Sequence, residues 1–250
     1  MPGIAFDAVS TSGFFASTAS SLSWNHTVTG TNTFMMIMGQ TNSGGGGSFI
    51  TGVTFDGVAM TQLIVVQESV NLDYEWYFYL PAPHTGTHSI TVTAAFTGTH
   101  YGQFVGGSYT GVAQTNPIDA SNSIHFGAGT GNSALTLTPN VTGDWFISGY
   151  DLSGPYSNNP LTADTSVRRI IDATGASTAI FDQSGGTLSN MTMTINPNCN
   201  ASYQMILGAL VKAAPTSQIL KVSGVAQASI SKVSSIANAS IKKISGVANT

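Results

Sequence analysis

Of the five histidines, His26, His84, His88, His100 and His125, only His84 and His88 stand close enough in sequence to share a ligand. His84 falls in the turn at 81–86 and His88 opens the next predicted strand, with no carboxylate within several residues to complete a zinc set. They read as a turn histidine and a strand-edge histidine. Asp73 and Glu75, two apart on a predicted strand, would project from one face, as a paired-carboxylate glycosidase or a calcium site requires. No third acid accompanies them, so a solvated strand face is the expectation. Asp119, Asp144, Asp151 and Asp172 are scattered, fit no EF-hand loop, and read as loop acids that cap turns.

Nucleophilic chemistry fares no better. The nearest approach to a serine elbow, Gly107-Ser108-Tyr109-Thr110-Gly111, places its serine one position early. Cys199 is the only cysteine, which excludes an intrachain disulfide and a cysteine-based metal cluster, and it lies far from any histidine. A lone cysteine in a β-protein reads as a small buried hydrophobe. No phosphate-cradling Gly-rich loop ending in Gly-Lys-Ser or Gly-Lys-Thr occurs. The chain is therefore expected to be no enzyme, with no catalytic, cofactor-binding or metal-ligating residues and no cofactor.

Aromatic side chains are the remaining candidates. Tyr74, Trp76, Tyr77, Phe78 and Tyr79 form a dense run in which strand alternation puts Trp76 and Phe78 on one face and Tyr77 and Tyr79 on the other. One set must be core. Tyr77 and Tyr79 are taken as the surface set, available to a protein partner or a glycan.

The elements that position these residues follow from composition and period. Charged residues make up 7% of the chain, against about 25% in ordinary globular proteins, so its polar surface must be built from Ser, Thr, Asn and Gly. Hydrophobic residues at 42% still supply a core. From residue 3 to about 213, apolar residues alternate or form short runs rich in β-branched and aromatic side chains, broken by Gly, Asn, Ser and Pro. Ser21-Leu22-Ser23-Trp24-Asn25-His26-Thr27-Val28 reads as a strand with one apolar face, and Phe34-Met35-Met36-Ile37-Met38 as a strand buried on both. Asp56-Gly57, between Val53-Thr54-Phe55 and Val58-Ala59-Met60, suits a type I′ hairpin turn, and 44–47 is a tetraglycine loop. Further strands are predicted at 74–80, 88–96, 103–109, 125–128, 134–137, 145–150, 177–181, 191–195 and 203–210. The segment 164–171 is the best short-helix candidate, although Val167-Arg168-Arg169-Ile170-Ile171 equally suits a strand. The expectation is one all-β, jelly-roll-like sandwich over 1–213.

Residues 214–250 differ. Pro215 precedes three copies of one motif at a period of eleven, beginning at Ile219, Ile230 and Ile241. Their apolar positions are Ile219, Val222 and Val225, then Ile230, Val233 and Ile236, then Ile241, Ile244 and Val247. An eleven-residue helical repeat remains open. The β-branched residues and Ser-Gly pairs favour short strands turning at Ser-Gly. One copy is too short to bury its own apolar face, so copies must cover one another or a neighbouring chain, and a homotrimer is the expected assembly. Charge is divided along the same boundary. All eleven acids but only Arg168 and Arg169 lie in 1–211, a balance of −9, while 212–250 carries Lys212, Lys221, Lys232, Lys242, Lys243 and no acid, a balance of +5. The lysines recur with the repeat rather than clustering, beside an acidic domain, so no nucleic-acid partner is expected. The N-terminus lacks a basic and apolar leader and no stretch of about 18 apolar residues occurs, so neither Sec export nor membrane insertion is expected.

The succession of Ser21–Val28, Val53-Thr54-Phe55-Asp56-Gly57-Val58-Ala59-Met60-Thr61, Trp76-Tyr77-Phe78-Tyr79-Leu80 and Thr85-Gly86-Thr87-His88-Ser89-Ile90-Thr91-Val92 is similar to a loosely defined group of β-sandwich modules. With Ser108-Tyr109-Thr110-Gly111-Val112 and Asn116-Pro117-Ile118-Asp119, it resembles modules of tailed-phage virion proteins and bacterial surface proteins over roughly 4–210. The terminal Ile-x-Lys-Val-Ser-Gly-Val-Ala repeats resemble C-terminal tails of phage structural proteins. The resemblance implies a capsid-decorating, head-fibre or tail-associated protein made in the host cytoplasm and residing in the virion. Its partners would be its own copies and other virion proteins such as the major capsid protein. A lectin-like module binding host surface glycans is the alternative, and a polysaccharide-cleaving enzyme resting on Asp73 and Glu75 is the third reading.

Overall fold

The computed structural model describes residues 3–42, 50–67, 73–95, 99–126, 133–153, 162–163, 166–173, 176–196, 203–215, 221–222, 225–226, 243–244 and 247–248. Among these residues the regular structure is entirely strand. The chain divides into a unit over Pro2–Ala214 and a second containing Pro215–Thr250.

The first half of the large unit contributes nine strands: β1 (Ala5–Ser17), β2 (Ser21–Val28), β3 (Phe34–Asn42), β4 (Ile50–Phe55), β5 (Val58–Ala59), β6 (Thr61–Gln67), β7 (Asp73–Pro81), β8 (Gly86–Ala94) and β9 (His100–Thr110). They form an inner sheet ordered β1-β9-β3-β7-β6 and an outer sheet ordered β2-β8-β4-β5, with every pairing antiparallel. The chain passes repeatedly from one sheet to the other, as in a jelly roll.

The second half repeats this plan. It contains β10 (Ile118–Phe126), β11 (Ser133–Leu137), β12 (Trp145–Ser153), β13 (Thr162–Ala163), β14 (Ser166–Ala173), β15 (Ala176–Gln183), β16 (Met191–Asn196) and β17 (Tyr203–Val211). Its inner sheet runs β10-β17-β12-β15-β14 and its outer sheet β11-β16-β13. Among the described residues this is, strand for strand, the order of the first half with one outer strand fewer. The all-β sandwich expected from the alternation is present, and it is present twice.

Three buried clusters define four layers. Met35, Ile37, Phe55, Trp76, Ile90 and Phe104 fill the first sandwich. Phe146, Tyr150, Phe181, Met193 and Ile206 fill the second. Phe34, Met36, Met38, Tyr77, Val105 and Tyr109 pack against Ile147, Ile180, Met205 and Leu207 between the two inner sheets. The central inner strands β3, β7, β9, β12, β15 and β17 thus bury both faces, whereas outer strands keep one face in water and alternate, as β11 does residue by residue. Just beyond β9 and β17, Val112 bridges Ala213 antiparallel, and Ala113 N and Ala214 N donate to Lys212 O (2.9 Å) and Gly111 O (2.7 Å). Equivalent positions contact each other, as in a two-fold interface. Gly39 and Gly149 sit where this packing is tightest. A Cβ on Gly39 would overlap the Phe104 ring and the Gln103 carbonyl, and one on Gly149 would overlap Met38.

Two local expectations are settled here. Asp56 (φ 50°) and Gly57 (φ 76°) both adopt left-handed conformations between β4 and β5, as a type I′ turn demands. The segment that suited either helix or strand is β14, a strand, because it extends the inner sheet beside β15. The tetraglycine, Cys199 and residues 127–128 lie outside the described residues.

In the tail, β18 (Lys221–Val222) pairs antiparallel with β19 (Val225–Ala226), and β20 (Lys243–Ile244) with β21 (Val247–Ala248). The first and third copies of the repeat are thus strand pairs rather than helix. Ile219, Ile230, Lys232, Val233, Ile236, Ile241 and Lys242 lie outside the described residues.

Candidate functional site

The histidine pair acquires a carboxylate from far along the chain. The β4–β5 turn carries Asp56 to the 81–86 turn, where its Oδ2 lies 2.7 Å from His84 Nδ1 and its Oδ1 3.2 Å from His88 Nδ1. The hydrogen bond from His84 holds the Asp56 carboxyl below its usual range. His88 Nε2 also reaches the Thr85 carbonyl at 3.0 Å, and its ring meets Phe55 edge-on. Each carboxylate oxygen is engaged by one ring, so the trio fastens two exposed turns together. Among the described residues no group of three His, Cys, Asp or Glu side chains is placed to hold a metal ion.

Two aspartates act as matching latches: Asp7, which sequence reasoning did not single out, and Asp119, which it read as a loop acid capping a turn. On β1, Asp7 accepts the Thr29 backbone N–H (2.9 Å), the Thr29 hydroxyl and the Ser108 hydroxyl (2.7 Å). Ser108, the near-miss nucleophile, is fully buried in that role. On β10, Asp119 accepts the Asn140 N–H (2.6 Å) and its side-chain amide (3.2 Å). Each carboxylate sits on the first strand of its sandwich and receives the chain leaving the second. A sequence signal existed: Val28-Thr29-Gly30 and Val141-Thr142-Gly143 are the same tripeptide, and both glycines have positive φ. Asp119 and Asp151 therefore lie on strands and not in loops, as does Asp172 on β14.

Asp144 stands beside Asp119 and is fully buried. Burial, and then the Asp119 carboxylate, push its pKa from 3.8 up to about 7. Between about pH 4 and pH 7 the unfolded chain ionises at this residue while the folded chain does not. Stability from this group is thus complete below about pH 4 and is lost as pH rises through 7. Asp144→Asn should gain stability relative to the parent across that window and hold a constant difference above it, as urea titrations at several pH values will measure. A difference that is flat with pH would contradict the assignment. His26, pulled down to about 4 by burial, titrates there with the opposite sign, so the informative quantity is variant against parent.

Glu75 corrects the expectation of a solvated face: it is fully buried. Its strand lies in an inner sheet, so the face it shares with Tyr77 points into the second sandwich. Asp151 from β12 is its buried electrostatic neighbour. Gln103 Nε2 donates to Thr178 Oγ1 at 3.0 Å, and Thr178 Oγ1 stands 3.5 Å from Asp151 Oδ1. Glu75, Gln103, Thr178 and Asp151 are all fully buried, whereas a glycosidase exposes its carboxyls to substrate, and the side chain of Asp73 lies outside the described residues.

The surface role of Tyr77 and Tyr79 is corrected for the same reason. Tyr77 is fully buried with its hydroxyl 3.8 Å from Met36 Sδ, and Tyr79 is half-buried, stacked on Phe34 at 5.9 Å. From Tyr74 to Phe78 the run is core on both faces, and only Tyr79 is partly open to water. Exposed aromatics lie instead on β1 and β9, where Phe14 (45% exposed) and Tyr101 (47%) stack at 6.3 Å with 23° between ring planes. A small pocket lined by Phe15, Ala19, Ser21, Leu22, Ile50, Val92 and Ala94 has a hydroxyl as its only polar side-chain group and no titratable one. No protein-family model matches the chain, and no curated protein matches it in sequence.

Proposed function

We propose that the protein is a structural component of a tailed-phage virion, decorating the capsid or forming part of a head or tail fibre, and that it assembles through its repeat tail. The observation that carries this reading is the tail itself. Two of its three eleven-residue copies pair strands of only two residues, too short to be stable alone, so their apolar positions call for cover from other copies or another chain. Ile219, Ile230 and Ile241 with their companion valines and isoleucines supply the apolar contacts. Lys221, Lys232, Lys242 and Lys243 supply attraction to an acidic shell. Two stacked jelly-roll-like sandwiches suit a capsid-associated part, by analogy of fold alone.

In support of a non-enzymatic role, groups that suggested chemistry serve structural ends: Asp119 latches strands, His84 and His88 fasten turns through Asp56, Ser108 donates to Asp7 and Glu75 is enclosed. The partners are its own copies as a homotrimer and virion proteins such as the major capsid protein. The test is the solution mass, by light scattering, of the full chain and of a chain ending at Ala214. The full chain should give three times the 25.8 kDa chain mass and the shortened one a single chain.

A second reading, attachment to host glycans, is favoured by the exposed Phe14–Tyr101 stack, since flat aromatic faces are what sugar rings pack against. On a glycan array it requires a signal that survives removal of the tail and disappears in Tyr101→Ala. Silence across a broad array would remove this reading and leave assembly alone.

A further inference from the structure

Among the described residues, eight strands edge the four sheets of the large unit, and seven of them carry a feature that discourages strand addition. β1, β6, β10 and β14 are bulged against their neighbours, and β14 also bears Arg168 and Arg169. β5 and β13 are two residues long, and β11 is five residues with Pro139 soon after it. Bulges, charge, proline and shortness all keep an open edge from pairing with another chain. β2 has none of them. It runs for eight residues in unbroken register with β8, and Ser21–Val28 contains no Lys, Arg, Asp, Glu, Pro or Gly.

This edge is also unsatisfied. Every second residue of an edge strand turns its N–H and C=O away from its one neighbour. Among the described residues β1 reaches β2 through side chains alone: Trp24 Nε1 donates to Ser10 Oγ at 3.1 Å, and His26 Nδ1 lies 2.8 Å from the same oxygen. Leu22 and Trp24 on the inward face are only half-buried, whereas Val92 and Ile90, directly opposite them on β8, are fully buried. On the outward face Ser23 meets the Thr91 hydroxyl at 2.8 Å and Thr27 that of Thr87 at 2.7 Å.

We propose that β2 adds, edge to edge and antiparallel, to the β2 of a second copy of this chain, joining two outer sheets across a two-fold axis. A strand that pairs with itself meets its own charges, so it must carry none, and β2 carries none. Residues opposite each other in an antiparallel pair share a face. An axis at Trp24 therefore sets Trp24 against Trp24, Leu22 against His26, Ser23 against Asn25 and Ser21 against Thr27. The half-buried apolar residues gain cover, and the outward face repeats the neutral pairing it already makes with β8. A strand from another protein finds no charge on this edge by which to be selected. One strand pair buries less than the roughly 1,000 Å² of a stable interface, so the contact is weak and forms between crowded copies.

The test is the light-scattering mass of the full chain over a concentration series reaching about 1 mM, where a contact of this strength is populated. The dilute end reports what the tail assembles and is the same for parent and variants, so that reading and this one fail separately. The parent's mass should at least double along the series. Ser23→Lys/Asn25→Lys sets lysine against lysine for an axis at Ser23, Trp24 or Asn25, and its mass should stay flat, as should that of Ser23→Glu/Asn25→Glu. Mixed in equal amounts, the two variants should regain the rise. Both positions face water, so urea midpoints should match the parent's. A flat parent series, or a rise in the lysine variant equal to the parent's, overturns the proposal. A rise lost in both variants and not regained on mixing overturns pairing of β2 with itself, in favour of another surface. Hydrogen exchange of the concentrated parent needs no substitution: the β2 amides should all be protected, and fast exchange at every second one would overturn the proposal as well.

Discussion

Replacing Tyr77 with alanine is expected to destabilise the protein by about 3 to 5 kcal/mol, the range for removing a fully buried aromatic ring. The ring is completely enclosed between the inner sheets, where Ile147, Ile180 and Met205 from the second sandwich share its cluster. Neither sheet can collapse into the gap, because each is pinned on its far side by its own sandwich core. The loss should show as a lower urea midpoint at nearly unchanged slope, since the folded and unfolded surfaces stay the same. Tyr101→Ala, at a ring 47% exposed, should stay within about 0.5 kcal/mol of the parent. A Tyr77→Ala cost below about 1 kcal/mol would mean the two sandwiches do not pack through their inner sheets.

Removing residues 215–250 is expected to convert a trimer to a monomer and abolish attachment to the particle, while leaving the stability of the large unit within about 1 kcal/mol of the full chain. The cut is clean for a structural reason. Ala214 N donates to Gly111 O, and Lys212 N to Pro117 O, so a chain ending at Ala214 keeps the last hydrogen bonds that close β17 against the linker between the sandwiches. What is lost is three copies of an apolar motif and four of the five lysines beyond residue 211. Each apolar residue that a partner chain covers contributes about 1.5 to 3 kcal/mol, so nine such positions per chain are ample for a stable trimer even after the cost of association. If shortening the chain changed neither its mass nor its attachment, the structural proposal would be lost.

How far these features were legible depends on the range of the forces behind them. Strand positions such as β7, β9, β12 and β17 were readable because β-branched and aromatic runs between turn residues need only local chain geometry. The Asp56-Gly57 hairpin was readable for the same reason: left-handed φ at two successive residues is a demand on the dipeptide itself. By contrast β1 and β6 were not singled out. β1 carries two bulges against β9 and β6 one against β7, which break the two-residue period that marks a strand. The Asp56–His84 contact was invisible since it joins residues 28 apart through two turns that meet only in the folded sheet.

The sequence by itself determined that this is an all-β protein with a basic, eleven-residue repeat at its end, and that Trp76 and Tyr77 point to opposite faces. Alternation is a property of the extended backbone, and a repeat is a property of the string. Only the tertiary structure decided which faces meet water. Because two sandwiches stack through their inner sheets, the face bearing Glu75, Tyr77 and Tyr79 is interior rather than surface, and the exposed aromatics are Phe14 and Tyr101. A strand's pattern states that two faces differ or agree in polarity. Burial depends on the second sheet laid against it, and that sheet is built from strands between Ile118 and Val211, the nearest of which begins 41 residues beyond Tyr77.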